Sequence, residues 1–345
     1  MIDTIRREVI VSICKQVFGT NHRVSSISKI TPTSEQGIPR IDGCTQHICY
    51  HVCCHNSTKS YVFRFFRDLP NREDRYIHEE DIYRLLSQEL SLPVPKILYT
   101  DHTRQLVSTN YIIMEYVSGE HWQFLAHSDN PRTNSIEKMK IQEQVGALCA
   151  QIHGLEKSSQ DNQSFIQTLL RSIENLERCV EDGQYQVSLS AISEAKDLIQ
   201  KAPWLKLTKH SLYKADAEIL FFKDHRQNWD VSAIIDVEAM DFGDPYLDLT
   251  NFLCEPTPIW KLEEPLEVVS PEETRKKPLF RGYESVRSID YSRLAKVCIA
   301  MHLSIMCSTA AQIYRPEIRQ YMNIKKREEI YDSLLDACIN RYLIG

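Results

Sequence analysis

The stretch Val231-Ser-Ala-Ile-Ile-Asp236-Val-Glu238-Ala-Met-Asp-Phe-Gly243-Asp244-Pro245-Tyr-Leu-Asp248-Leu249 decides how this chain is read. Its apolar run, Ala233-Ile234-Ile235, is short and rich in β-branched residues, which predicts a strand. The run ends on the carboxylate of Asp236. Gly243-Asp244-Pro245 predicts a turn, and Tyr246-Leu247-Asp248-Leu249 opens an apolar segment beyond it. A carboxylate leaving a strand end beside a turn suits a hard cation such as Mg²⁺, which prefers oxygen and often binds phosphates as well. Taken singly, Asp236 would be a turn residue and Asp244 a helix cap. Asp236, Glu238, Asp244 and Asp248 around one Gly-Asp-Pro form a far more particular arrangement.

This stretch resembles the metal-binding segment of the aminoglycoside phosphotransferase and choline kinase family, with its Ile-Asp-x-Glu, then Gly-Asp-Pro, then Asp-Leu. The resemblance implies an α+β, bilobal, protein-kinase-like fold. A small β-rich lobe would cover residues 1–115 and a larger, mostly helical lobe residues 116–345. ATP, or another nucleoside triphosphate, and Mg²⁺ would sit in the cleft. It further implies that Asp236 holds magnesium and that Asp244 braces the active-site loops.

Working outward, the 345 residues suffice for a substantial core and two lobes. A net charge of −6 leaves no basic footprint for nucleic acid. The N-terminus, Met1-Ile-Asp-Thr-Ile-Arg-Arg-Glu, mixes charges where a signal peptide needs an apolar core. The apolar run Val297–Cys307 carries His302 and falls short of the roughly 20 residues a membrane span needs. It reads as a core helix, so no membrane partner is expected. The cysteines are scattered and odd in number, and Cys44, Cys49, Cys53 and Cys54 have strand spacing, without the paired knuckles of a zinc site. Reduced, buried thiols in a cytoplasmic protein are the expectation. The sequence sets no oligomeric state.

In the first lobe, residues 2–18 have helical apolar spacing, and the alternation Ile48, Tyr50, Val52 predicts a strand. Ser60–Phe66 predicts a second strand, with Arg64 among aromatics. Gly43 alone would be a turn glycine, yet Gly43-Cys-Thr45-Gln-His-Ile-Cys-Tyr50 is similar to the family's phosphate loop. That likeness makes Gly43 and Thr45 nucleotide contacts. Arg64 would be the cation on the ATP phosphates, its forked donors suiting phosphate; a surface arginine is the plain alternative. The helical segment Ile77–Leu86 resembles the family's leucine-rich helix, which implies an acidic partner for Arg64 there. The leucine register favours Glu79 over Glu80. Tyr111-Ile-Ile-Met114-Glu115-Tyr116-Val117 resembles the inter-lobe linker, where adenine would meet backbone groups near Glu115 and Val117, beside Met114.

In the second lobe, the helix ending Ile152-His153-Gly matches one whose histidine is structural in the family. The catalytic loop departs from the pattern. The family reads His-Gly-Asp-x-x-x-x-Asn-Ile-Leu, whereas this chain reads His210-Ser-Leu212-Tyr213-Lys214-Ala-Asp216-Ala217-Glu218-Ile219-Leu220. Counted from His210, the acid falls on Leu212 and the amide on Ala217. Counted back from Ile219-Leu220, they fall on Tyr213 and Glu218. Three explanations stay open. Asp216 could act as substitute base with Glu218 a magnesium ligand and His210 bracing the loop. The acceptor could be already ionised and need no base, since positioning dominates phosphoryl transfer. Or the chain could be a catalytically silent nucleotide-binding or interaction protein. The reading adopted is an ATP- and Mg²⁺-dependent phosphotransferase acting on a small molecule.

Overall fold

The computed structural model describes residues 5–30, 47–55, 59–66, 75–127, 130–158, 209–214, 217–253 and 271–294, with isolated positions between 170 and 200 and at 297. Contacts divide the chain into two units, one of residues 1–142 with 216–240, the other of 143–215 with 241–345. Residues 216–240, Asp236 among them, group with the N-terminal part of the chain.

The first unit opens with α1 (Arg7–Phe18), β1 (Val24–Ile30), β2 (His47–Cys54), β3 (Ser60–Phe66), α2 (Arg75–Gln88), β4 (Ile97–Asp101) and β5 (Tyr111–Glu115). The strands form one antiparallel sheet in the order β1-β2-β3-β5-β4. Strand β2 alternates strictly between partly exposed and buried positions, as a strand with one covered face must. Its buried set, Ile48, Tyr50, Val52 and Cys54, packs with Tyr61, Phe63 and Phe65 of β3 and Ile10, Ile13 and Cys14 of α1 in one apolar cluster. The opposite face carries His47 and Cys49, and there Cys49 lies directly across from Arg64.

Helix α2 buries Glu79, Ile82, Tyr83 and Leu86, a stripe at helical spacing with a carboxylate at its head. After β5, the chain passes through β6 (Glu120–His121) and α3 (Trp122–Ala126) into α4 (Ser135–Ile152). β9 (Glu218–Lys223) and β10 (Trp229–Ile235) form a hairpin whose sheet order is β10-β9-β6.

The second unit holds β7 (Glu156–Ser158), β8 (Lys209–Tyr213) and β11 (Asp241–Gly243), in the order β11-β8-β7. It also holds α5 (Tyr246–Leu253), α6 (Pro271–Lys276) and α7 (Pro278–Glu284). A Cβ on Gly146 of α4 would lie 1.9 Å from the Leu279 carbonyl oxygen, and one on Gly282 of α7 would lie 1.9 Å from that of Glu143. The two helices therefore touch backbone to backbone, and any side chain there would force them apart.

Among the described residues no helix is long and apolar enough to cross a membrane. Cys14, Cys49, Cys53, Cys54 and Cys149 are free thiols.

Candidate active site

Three elements of the first unit converge on Arg64. The residue sits mid-strand in β3 at 7% exposure, on the sheet face away from α1. A buried guanidinium must be paired, and three carboxylates surround it. Its Nε lies 3.2 Å from Glu79 of α2. One terminal nitrogen donates to Asp236 Oδ1 at 2.8 Å and lies 3.3 Å from Glu238 Oε2. Glu79, not Glu80, faces the arginine: Glu79 is fully buried, whereas the Glu80 side chain is 40% accessible and lies 3.9 Å from His102.

The Glu79 pair is close but poorly aligned, since neither carboxylate oxygen nor the arginine Nε completes a hydrogen bond. Burial pushes the Glu79 carboxyl up to about 7 against the pull of Arg64, with Asp236 and Glu238 adding to the rise. Burial also opposes the charge on Arg64, but Glu79 and Asp236 more than offset it, and the guanidinium is held charged.

Asp236 follows the last residue of β10 and adopts a left-handed backbone, φ 57° and ψ 49°, which aspartate tolerates better than most residues. The turn lets Asp236 and Glu238, two positions apart, both reach the arginine. Asp236 is the exposed member of the group, its side chain 47% accessible. Glu238 is also hydrogen-bonded by His47 Nε2. Burial and then Arg64 push the His47 imidazole down, although Glu238 pulls it up.

Glu218, the first residue of β9, pairs in register with Ile235, one position before Asp236. Its Oε2 is 3.1 Å from His121 Nδ1. That contact first, and then the charges of Glu218, Glu120 and Asp236, raise the His121 imidazole against its burial.

Among the described residues no group of three or more His, Cys, Asp or Glu converges tightly enough to hold a metal unaided. The donor set suits magnesium all the same. Mg²⁺ is usually held by one or two carboxylates, the rest of its shell being water and phosphate. Asp236 and Glu218 are hard oxygen donors, and Glu218 pairs in register with the residue just before Asp236.

In the linker, Glu115 N donates to Lys96 O and Tyr116 N to Ser60 O, both at 2.9 Å. Met114 lies across from Val62 on β3, two residues from Arg64. No described residue takes the amide or carbonyl of Val117. Glu115 pairs its side chain with Lys59 at 2.9 Å.

His210 lies in β8 opposite Lys157 of β7, in the second unit. Leu212 and Ala217, which match the acid and the amide in one register, are both fully buried. Gly43, Thr45 and Asp216 lie outside the described residues. In the second unit, Asp244 accepts from Tyr246 N at 3.0 Å, capping α5, and pairs with Arg293. Asp248 accepts from the Lys214 backbone amide and lies 3.0 Å from His153 Nε2. His153 Nδ1 is 2.9 Å from the Tyr283 hydroxyl.

No family model matches the chain, and no curated protein matches it in sequence. Solved structures do. A provisionally assigned aminoglycoside phosphotransferase of Ralstonia eutropha is 14% identical, with a TM-score of 0.60 over 98% of each chain. Its fold is the fold of this chain. Spectinomycin phosphotransferase, solved with ADP and spectinomycin, is 12% identical with a TM-score of 0.56 over 98% of each chain. Ethanolamine kinase of Plasmodium vivax is 15% identical with a TM-score of 0.51, over 97% of this chain and 88% of its own. The bilobal, protein-kinase-like α+β fold expected from the Asp236 stretch is thus the fold observed.

Sequence reading missed His47 and His121, whose contacts with Glu238 and Glu218 join residues far apart in the chain.

Proposed function

We propose that this chain transfers a phosphoryl group from ATP to a small-molecule acceptor with the help of Mg²⁺. The observation that carries the proposal is the buried Arg64, held at 2.8–3.3 Å by Glu79, Asp236 and Glu238, one of them open to solvent. Arg64 would grip the phosphates while Glu79 fixes its head. The linker backbone at Val117 would read the base edge, beside Met114 and Glu115. Gly43 and Thr45 would approach the phosphates through their backbone. Asp236, with Glu218, would hold Mg²⁺. The metal ion neutralises charge on the phosphate oxygens during transfer. Asp216 would accept the proton of the acceptor hydroxyl, and His210 would brace the loop that carries it. The nucleotide and antibiotic bound by spectinomycin phosphotransferase agree with this division between nucleotide and small-molecule acceptor.

A second reading, a protein that binds nucleotide without transferring phosphate, rests on the sequence: Leu212 and Ala217, at the register counted from His210, carry no side-chain oxygen.

Calorimetry with ATP and MgCl₂, followed by transfer of labelled γ-phosphate to a metabolite panel, separates the two. The expected result is binding plus transfer to one acceptor class, with Asp236→Ala lowering transfer at least about a thousandfold, by roughly 4 kcal/mol of lost transition-state stabilisation. Transfer unchanged in Asp236→Ala would remove that residue from the chemistry. Binding without transfer would establish the second reading.

A further inference from the structure

We infer that His47 is a positioning residue of the nucleotide site: through Glu238 it sets how far the Arg64 guanidinium is free to meet a phosphate. The inference rests on the phosphate-binding role proposed for Arg64. His47 begins β2 and stands on the sheet face of Arg64, across from Phe66. Its ring meets Phe66 edge-on at 5.0 Å, and its side chain is only 10% exposed. Nε2 hydrogen-bonds Glu238 Oε2, and that same oxygen lies 3.3 Å from the Arg64 terminal nitrogen. Among the described residues Nδ1 is buried with no hydrogen-bond partner, and the bond from Nε2 to Glu238 is the side-chain contact that orients the ring.

A carboxylate taken out of water demands compensating donors. Glu238, whose side chain is 14% exposed, draws on both the imidazole and the guanidinium. With His47 in place, Glu238 divides its demand and the arginine nitrogen stays closer to the exposed Asp236, at 2.8 Å against 3.3 Å. Without His47, more of that demand falls on Arg64, and the nitrogen that should turn to phosphate is drawn away. Among the described residues, the charged and titratable groups facing His47 are Arg64 of β3 and Asp236 and Glu238 of the turn after β10. Burial and Arg64 favour the neutral ring, which still donates through Nε2.

The test is calorimetry of the full chain with ATP and MgCl₂, alongside melting temperatures. His47→Phe keeps the ring against Phe66 and removes the donor, whereas His47→Gln restores a donor near Nε2. Loss of a hydrogen bond to a charged group predicts ATP affinity about tenfold weaker in His47→Phe, beside a lower melting temperature, with most of the affinity recovered in His47→Gln. The His47→Phe effect should also shrink in a Glu238→Gln background, because both residues act through one bond. Wild-type affinity in His47→Phe, or losses that simply add in the double variant, would overturn the inference. Should His47→Phe fail to fold, the cycle of His47→Gln with Glu238→Gln is read for the same coupling, and additivity there overturns it too. A wild-type chain that takes up no nucleotide overturns the proposed function, and this inference with it. Binding that is merely indifferent to position 47 overturns the inference alone.

Discussion

Glu79 and Asp248 are both carboxylates removed from water, at 0% and 1% exposure, and their surroundings differ. Asp248, in the second unit, receives a backbone amide from Lys214 and stands 3.0 Å from the fully buried His153, which is itself tied to Tyr283. Glu79, in the first unit, faces one guanidinium at 3.2 Å and completes no hydrogen bond. The satisfied acid fixes a loop start and a helix to each other. The unsatisfied one holds a cation that other acids also claim. A buried group left short of partners is costly, and such cost is commonly retained where function needs it.

The sharpest way to break this comparison is to remove the cation. Arg64→Met strands Glu79 without its counter-charge, and urea denaturation at pH 8 should show a loss of about 3–5 kcal/mol. The loss should shrink towards pH 5, where Glu79 takes up a proton instead. Arg64→Met with Glu79→Leu should recover most of it, and failure to recover would mean that Arg64 stabilises the fold by some other route.

Asp248→Ala withdraws an acceptor from two buried donors, which predicts a loss of about 2–3 kcal/mol. If that loss varied with pH as steeply as the Arg64→Met loss does, the contrast between the two acids would fail.

A third effect, spread over the pH range, concerns Glu79 alone. Its folded value, about 7, lies above its ordinary 4.5, so between those values the folded chain binds more protons than the unfolded one. Stability is then greatest near the acid end and falls as pH rises through about 7, by up to about 1.4 kcal/mol per pH unit. Glu79→Gln should flatten that slope in a series of urea midpoints from pH 4.5 to 8. An unaltered slope would place the titration elsewhere.

The candidate site was legible where a local pattern marks a residue. Arg64 is a charge in the middle of an aromatic strand, Asp236 closes a β-branched run, and Glu79 occupies a helical stripe that otherwise buries Ile82, Tyr83 and Leu86. Beyond that, legibility stopped. Strand periodicity puts His47 on the face of Arg64, but its bond to Glu238 joins residues 191 positions apart. Nothing in either neighbourhood announces that meeting. The same holds for His121 and Glu218, which are 97 positions apart.

By itself, then, the sequence determined the elements, the faces they cover and which side chains break the apolar rule, because periodicity and turn chemistry act over a few residues. Only the tertiary structure decided that three acids share one guanidinium and that a histidine stands behind one of them. Those contacts depend on how β2, β3, α2 and the β9–β10 hairpin pack, and packing is set by the whole core at once.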